Sequence, residues 1–309
     1  MVRYGYACIS SYLEEKMGKS APTTNRTMIR KTFDQKGKDY ASELALQNCK
    51  DLLPILKTNL QNKIYFFRLS SNLFPWASEY EISSLKDFEK INLALKEAGD
   101  FAKSHGMRIT SHPGPFNKLC SDSESVVQNT LTDLKIHGEV FDMIGLPKTH
   151  ESKINIHLGG AYGEKDLAIA RFIKNFDRLT ESVKSRMTVE NDDKASLYST
   201  KELVERLTPH TGIPIVHDQH HHLFCDGGLS QEEAMNLAAS TWPKGIRSVI
   251  HYSESLSEES GNPKIKPQAH SDYITREIKT YNLEVDVMVE AKKKDLAVLN
   301  YLRLVKSTT

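Results

Sequence analysis

Short apolar runs alternate with longer amphipathic stretches along the whole chain. β-Branched and aromatic residues at two-residue spacing predict strands over residues 3–9, 64–69, 107–111, 154–157, 187–190, 212–217, 247–252 and 285–290. Between them, apolar residues three and four apart predict helices over residues 41–60, 83–105, 124–146, 167–185, 201–207, 231–239 and 273–279, with a last one from Lys293. Leu44, Leu46, Leu52, Leu53 and Leu56 mark the buried face of the first helix. The basic, polar segment between the first strand and about Tyr40 reads as loop. Eight unbroken strand–helix alternations are what a single (β/α)8 TIM barrel requires, with residues 1–309 as one domain. A doubly wound open sheet would carry a Gly-rich turn after its first strand, and Ile9-Ser10-Ser11-Tyr12 has none.

A barrel places its chemistry at the C-terminal ends of its strands. His112 ends the third strand, His157 the fourth, Glu190 the fifth, Asp218 with His221 the sixth, His251 the seventh and Glu290 the eighth. Six successive strands thus deliver an acid or an imidazole to one rim, enough for more than one metal ion. Mixed oxygen and imidazole donors suit Mn, Zn or Fe better than Mg or Ca. His270 can reach the rim from beyond the seventh strand. His220 and His222 flank His221 without a ranking of their own. Alternation turns His217 to the opposite side, toward a helix. His105, His137, His150 and His210 fall on helices or on loops away from the rim.

Two rim segments present aromatic rings: Phe116 in the stiff turn His112-Pro113-Gly114-Pro115-Phe116, and Trp76 with Phe74 after the second strand. Rings beside basic loops are what stacking on unpaired bases needs, although Phe74 reads as core. After His157, Gly159 and Gly160 let backbone approach a ligand, with Tyr162 and Lys165 available for a phosphate.

Charge narrows this little, since 41 Lys+Arg against 40 Asp+Glu leave no global field, and a polyanion must meet a local basic surface. Four dispersed cysteines fit a reducing, intracellular setting rather than a zinc knuckle or a disulfide scaffold. No run approaches the ~20 apolar residues of a membrane span, and no leader pattern opens the chain, so a soluble, unexported protein is expected.

Several longer motifs stand in order: Gly5-Tyr-Ala-Cys8, Thr23-Thr-Asn-Arg-Thr27, Phe67-Arg-Leu-Ser-Ser-Asn-Leu-Phe-Pro75, His112-Pro-Gly114, Ile156-His-Leu-Gly-Gly-Ala-Tyr-Gly-Glu-Lys165, Val189-Glu-Asn-Asp192, Asp218 with His221 and His222, His251-Tyr-Ser253 and Asp286-Val-Met-Val-Glu-Ala-Lys292. Through them the chain resembles, nearly end to end, the UV damage endonucleases, DNA-repair nucleases akin in fold to endonuclease IV and xylose isomerase. The resemblance implies two or three divalent ions, most often Mn2+, with Zn2+ or Mg2+ as alternatives. It also implies cleavage of double-stranded DNA immediately 5′ of a UV photoproduct, starting excision repair. The ligands it implies are His112, His157, Glu190, Asp218, His221, His251, His270 and Glu290. Glu190, Glu290 and Lys165 are the residues expected to carry catalysis, the two glutamates by bridging ions. Asp192 or Asp286 would orient ligating imidazoles.

The sequence departs from the family pattern at three places. Glu79 stands where members can carry a His, and it remains an oxygen ligand. Val249 stands where the family can carry a modifiable lysine. Pro115 and Phe116 replace the lesion-probing Gln-Tyr pair, while Tyr6 matches the other probing aromatic. Asn25, Arg26, Arg30, Lys31, Lys165, Lys264 and Lys266, with Trp76 and Tyr162, complete the expected DNA surface. A monomer is expected, cytoplasmic and nucleoid-associated in a prokaryote or nuclear in a eukaryote. The competing readings are a xylose-isomerase-type sugar isomerase or epimerase, and a damage-binding protein without turnover.

Overall fold

The computed structural model describes residues 2–307. Its strands are β1 Tyr4–Ala7, β2 Phe66–Leu69, β3 Arg108–Ser111, β4 Ile154–His157, β5 Met187–Glu190, β6 Ile215–Asp218, β7 Ser248–Tyr252 and β8 Val285–Val289. They pair in parallel, each with the next, and β8 pairs with β1, which closes the (β/α)8 barrel anticipated from the alternation. The helices are α1 Ser11–Met17, α2 Arg30–Gln61, α3 Phe88–Ser104, α4 Glu124–Ile144, α5 Lys165–Phe176, α6 Glu181–Lys184, α7 Thr200–Arg206, α8 Thr208–Thr211, α9 Gln219–His222, α10 Gln231–Ala239, α11 Leu256–Ser260 and α12 Lys294–Ser307. Among the described residues, no helix is long and apolar enough to cross a membrane.

Strand alternation splits the interior into two parts. Outward-facing residues such as Ile109, Ile154, Ile156, Val189 and Val287 pack with helix residues such as Leu52, Leu95, Leu134 and Phe172 into one large core. Ala7, Phe66, Val216, Val249 and Met288 form a second, small apolar cluster inside the barrel, with Trp242 in contact. Below it the interior is ionic. Arg108 and Asp286, both fully buried, pair at 2.8 Å, and Arg3 and Arg247 converge on the same carboxylate. Gly5 permits the β1–β2 contact, because a Cβ there would lie 2.4 Å from the carbonyl oxygen of Phe66.

Two stretches differ from the sequence expectation. The segment before Tyr40 contains α1 and the first turns of α2, which begins at Arg30 and is interrupted at Gly37, where φ is 64°. Its polar, basic composition disguised a solvated helix. Residues 273–279 are not helical. Ile274 and Ile278, four apart and both buried, mimic a helical face, but the backbone is held in a loop by the Glu254 carboxylate. That carboxylate accepts from the N–H groups of Thr275 and Arg276 and from the Thr275 hydroxyl, while the Ile278 N–H donates to the Tyr301 hydroxyl.

Candidate metal centre at the barrel mouth

β4 shows how the sequence builds the site. In Lys153-Ile154-Asn155-Ile156-His157 the two isoleucines enter the outer core, and the other three residues point into the barrel. β5 repeats the pattern with Thr188 and Glu190. The inward residues interlock: Thr188 Oγ1 donates to Asn155 Oδ1 at 2.7 Å, and Asn155 Nδ2 donates to Glu190 Oε2 at 2.6 Å.

Glu190 is the hub. Its Oε1 lies 2.8 Å from His157 Nε2 and 3.2 Å from His112 Nε2, and its Oε2 lies 2.7 Å from His251 Nδ1. Two sets of donor atoms are each close enough to share one ion: His112, His157 and Glu190, and Glu190, Asp218 and His251. Glu190 belongs to both, the arrangement a bridging carboxylate requires. Burial works against its charge, but the imidazoles of His251, His157 and His112 hold its carboxyl well below the usual range.

Asp218 caps α9: its Oδ1 accepts from the N–H groups of His220 and His221, both at 2.8 Å. Its Oδ2 is buried and has no hydrogen-bond partner among the described residues. An orphaned, buried carboxylate oxygen in one donor set with the buried Glu190 carboxylate and His251 fits a divalent cation and leaves an ion-free site poorly satisfied.

The other imidazoles are oriented from behind. His221 Nδ1 lies 2.9 Å from the Asn191 carbonyl, His270 Nδ1 2.9 Å from the Glu290 carbonyl and His112 Nδ1 3.2 Å from the Pro113 carbonyl. His157 Nδ1 lies 3.0 Å from Asp192 Oδ1, the orienting role expected of that acid. Each contact engages Nδ1 and leaves Nε2 as the ligand atom, those of His112 and His157 turned to Glu190 Oε1. Burial lowers the basicity of His112. In His157 and His221 burial is outweighed, by Glu190 with Asp192 in the first and by Asp218 with Glu190 in the second, which pushes His221 up to about 9.

His251 is held the other way round. Its Nε2 faces Lys153 Nζ at 3.2 Å, and its Nδ1 lies between Glu190 and Glu290, 3.2 Å from Glu290 Oε1. Burial brings the Lys153 ammonium down to about 7. Arg68, at the end of β2, is ion-paired with Glu290. Burial opposes both charges, and their mutual attraction raises the guanidinium and lowers the carboxyl. Arg68, Lys153, Asn155 and Asn191 escaped the sequence reading. Lys153 and Asn155 were signalled by lying four and two positions before His157, on and just before a buried strand.

Several expected site residues lie elsewhere. Glu79 belongs to neither donor set and is paired with Arg30 at 2.6 Å. Asp286 is four residues before Glu290, two alternations deeper, and serves the arginines at the barrel floor. Tyr6 is fully buried: alternation in β1 turns it outward, where its hydroxyl donates to Asn59 Oδ1 at 2.9 Å, so it presents no ring at the mouth. Trp76 packs beneath Arg30 and donates its indole N–H to the Met28 carbonyl. Lys165 pairs with Glu202 at 2.7 Å and Arg26 with Asp51 at 2.7 Å. Asn25 accepts from Ser70 and Asn72 and ties its loop to the end of β2. His217 packs between α7 and α10 against Thr200 and Gln231, as alternation required. By contrast, Pro115, Lys264 and Lys266 are exposed, Tyr162 is 43% exposed and Phe116 68% exposed. Phe116 borders a cavity of about 360 Å3 that Ser70, Asn72, Phe74 and Trp76 also line. Ser71, on the same wall, donates to the His112 carbonyl at 3.4 Å, which puts the cavity beside the candidate metal centre.

The family model described as UV-endonuclease UvdE matches residues 2–309. The chain belongs to the UV-endonuclease family. A UV DNA damage endonuclease of Bacillus cereus (strain B4264) is 33% identical over 98% of this chain and 94% of its own length. A UV-damage endonuclease of Schizosaccharomyces pombe is 34% identical over 97% of this chain, which spans half the length of that relative. The crystal structure of SacUVDE superposes with a TM-score of 0.83 at 31% identity, covering 100% of this chain and 99% of that one. UV-endonucleases are DNA-repair nucleases, and the family assignment displaces the sugar-isomerase reading.

Proposed function

We propose that this protein nicks double-stranded DNA immediately 5′ of UV photoproducts, using two or three divalent ions, Mn2+ foremost, held at the barrel mouth. The observation that carries the reading is the membership of Glu190 in two potential ligand sets. His112, His157, Asp218, His221, His251, His270 and Glu290 would complete the shells. Bound ions would lower the pKa of a water nucleophile and relieve charge on the departing oxygen. The protein's own part is to keep the donors in place: Asn191 and Asp192 fix His221 and His157, Asn155 fixes Glu190, and Lys153 stands behind His251.

Recognition is assigned to the neighbouring cavity and to Phe116. A photoproduct stacks poorly, so unstacking it costs less than at an intact step, and the exposed ring supplies a replacement stacking surface. Lys264 and Lys266 offer phosphate contacts. The chain would act as a monomer and as one domain.

The test is a UV-irradiated, end-labelled duplex incubated with Mn2+. A single nick directly 5′ of the dimer is expected, and its loss under chelation. Tight binding without a nick would favour the damage-binding alternative, and failure to bind damaged DNA would sink both.

A further inference from the structure

The ionic contact between Arg68 and Glu290 separates this arginine from the other buried arginines. Arg108 donates to the carbonyls of Glu151, Arg247 and His150 and to the Asp286 carboxylate. Arg186 donates to the carbonyls of Pro147, Leu146 and Ser182 as well as to Asp142. Both are structural, with their donors spread over several fixed acceptors. Arg68 is placed differently. Its Nη1 donates to Glu290 Oε1, and among the described residues Nε and Nη2 have no acceptor. A guanidinium carries five donors in a rigid fork, so most of this one is unspent. Its side chain keeps 15% exposure at the mouth, where the donor sets converge.

Glu290 does not need Arg68 for its backbone position. Its N–H donates to the Tyr252 carbonyl at 2.8 Å, and its own carbonyl receives His270 Nδ1. Only its carboxylate leans on the guanidinium. That carboxylate also lies within reach of His251 and is among the proposed ion ligands, so Arg68 and an incoming cation compete for one oxygen.

We propose that Arg68 is an exchangeable counter-cation: it neutralises Glu290 before ions load, and once they take the carboxylate its free fork binds the phosphodiester to be cut. A planar fork pairs with two phosphate oxygens as readily as with a carboxylate, so the exchange replaces one charge-assisted contact by another. The inference rests on the metal-dependent reading above.

Mn2+ titration of the chelator-stripped protein without DNA, followed by electron paramagnetic resonance of the free ion, separates the two. Arg68→Met should bind Mn2+ at least ~10-fold more tightly, because a competing charge a few ångströms away is gone. The same variant should lower the slope of log affinity for damaged duplex against log salt by about one, and slow single-turnover nicking. Arg68→Lys restores a charge without the fork, so it should return Mn2+ affinity toward the wild-type value while nicking stays slow. Circular dichroism checks that both variants are folded, and the lysine variant carries the test if the methionine one is not. Unchanged or weaker Mn2+ binding by folded Arg68→Met would make Arg68 a strut for Glu290 and overturn the inference alone. No Mn2+ binding by the wild type would instead overturn the metal reading.

Discussion

Lys153 Nζ lies 3.2 Å from His251 Nε2, with both side chains shut off from solvent. A lysine buried behind an imidazole that faces two carboxylates is an expensive placement, and it makes stability depend on pH in a definite direction. Burial brings this amine down to about 7 from an ordinary 10.5. Between those values the unfolded chain holds a proton that the folded one lacks, so this group makes stability rise with pH. Below about 7 its penalty is fully present. Urea unfolding in chelator at pH 7 and pH 9.5 should show Lys153→Met more stable at the lower pH by about 1–4 kcal/mol, with the difference shrinking at the higher.

His221 acts with the opposite sign. It is pushed up to about 9, so in ion-free protein its charged form adds stability below about 6.5 that is lost as pH rises through 9. The same proton must leave before its ring can ligate. Mn2+ uptake at pH 7.5 should therefore release a proton, read by calorimetry in buffers of different ionisation enthalpy. Affinity should climb up to ~10-fold per pH unit until about pH 9. His221→Gln should diminish that release and leave the share of His157, which is also held above its ordinary value.

Glu190→Gln removes the charged carboxylate common to both donor sets while keeping its shape. The variant should bind fewer Mn2+ ions per chain and nick at least ~10³-fold more slowly. Affinity for damaged duplex should stay within a few fold, because no basic or aromatic surface residue is touched. Equal ion stoichiometry in mutant and wild type would refute the bridging role.

Phe116 offers the converse separation. It is largely exposed, so Phe116→Ala should leave thermal stability and ion binding as they are. Affinity for irradiated duplex should drop by about 1–3 kcal/mol, the worth of one base–aromatic stack, with little change for unirradiated duplex. Fluorescence anisotropy with both duplexes reads the ratio.

The strand ends were legible because, His217 aside, the acidic and basic residues of these buried parallel strands point into the barrel. His157, Glu190, Asp218 and His251 therefore stood out against Ile156, Val189 and Ile250. The same alternation carried Lys153 and Asn155, which a search for ligand types passes over. Tyr6 was misplaced by motif matching, although two-residue periodicity against Gly5 and Ala7 already turned it outward. The loop at residues 273–279 was illegible for a different reason: its shape is set by Glu254, twenty residues upstream, and not by its own spacing. Glu79 kept a ligand's chemistry but lies beside Arg30, a pairing that only the fold reveals.

The floor of the barrel sets the order in which the working complex can be assembled. Arg108 and Asp286 close the lower end with no exposed surface, the Arg108 guanidinium lies between Phe66 and Trp242, and the apolar cluster of Ala7, Val249 and Met288 sits in the interior with them. On the proposed function, the mouth would be the doorway for ions, and it would also be the face against which a duplex lies. A seated duplex would stopper that doorway, so cations would have to be aboard beforehand and would exchange only between encounters.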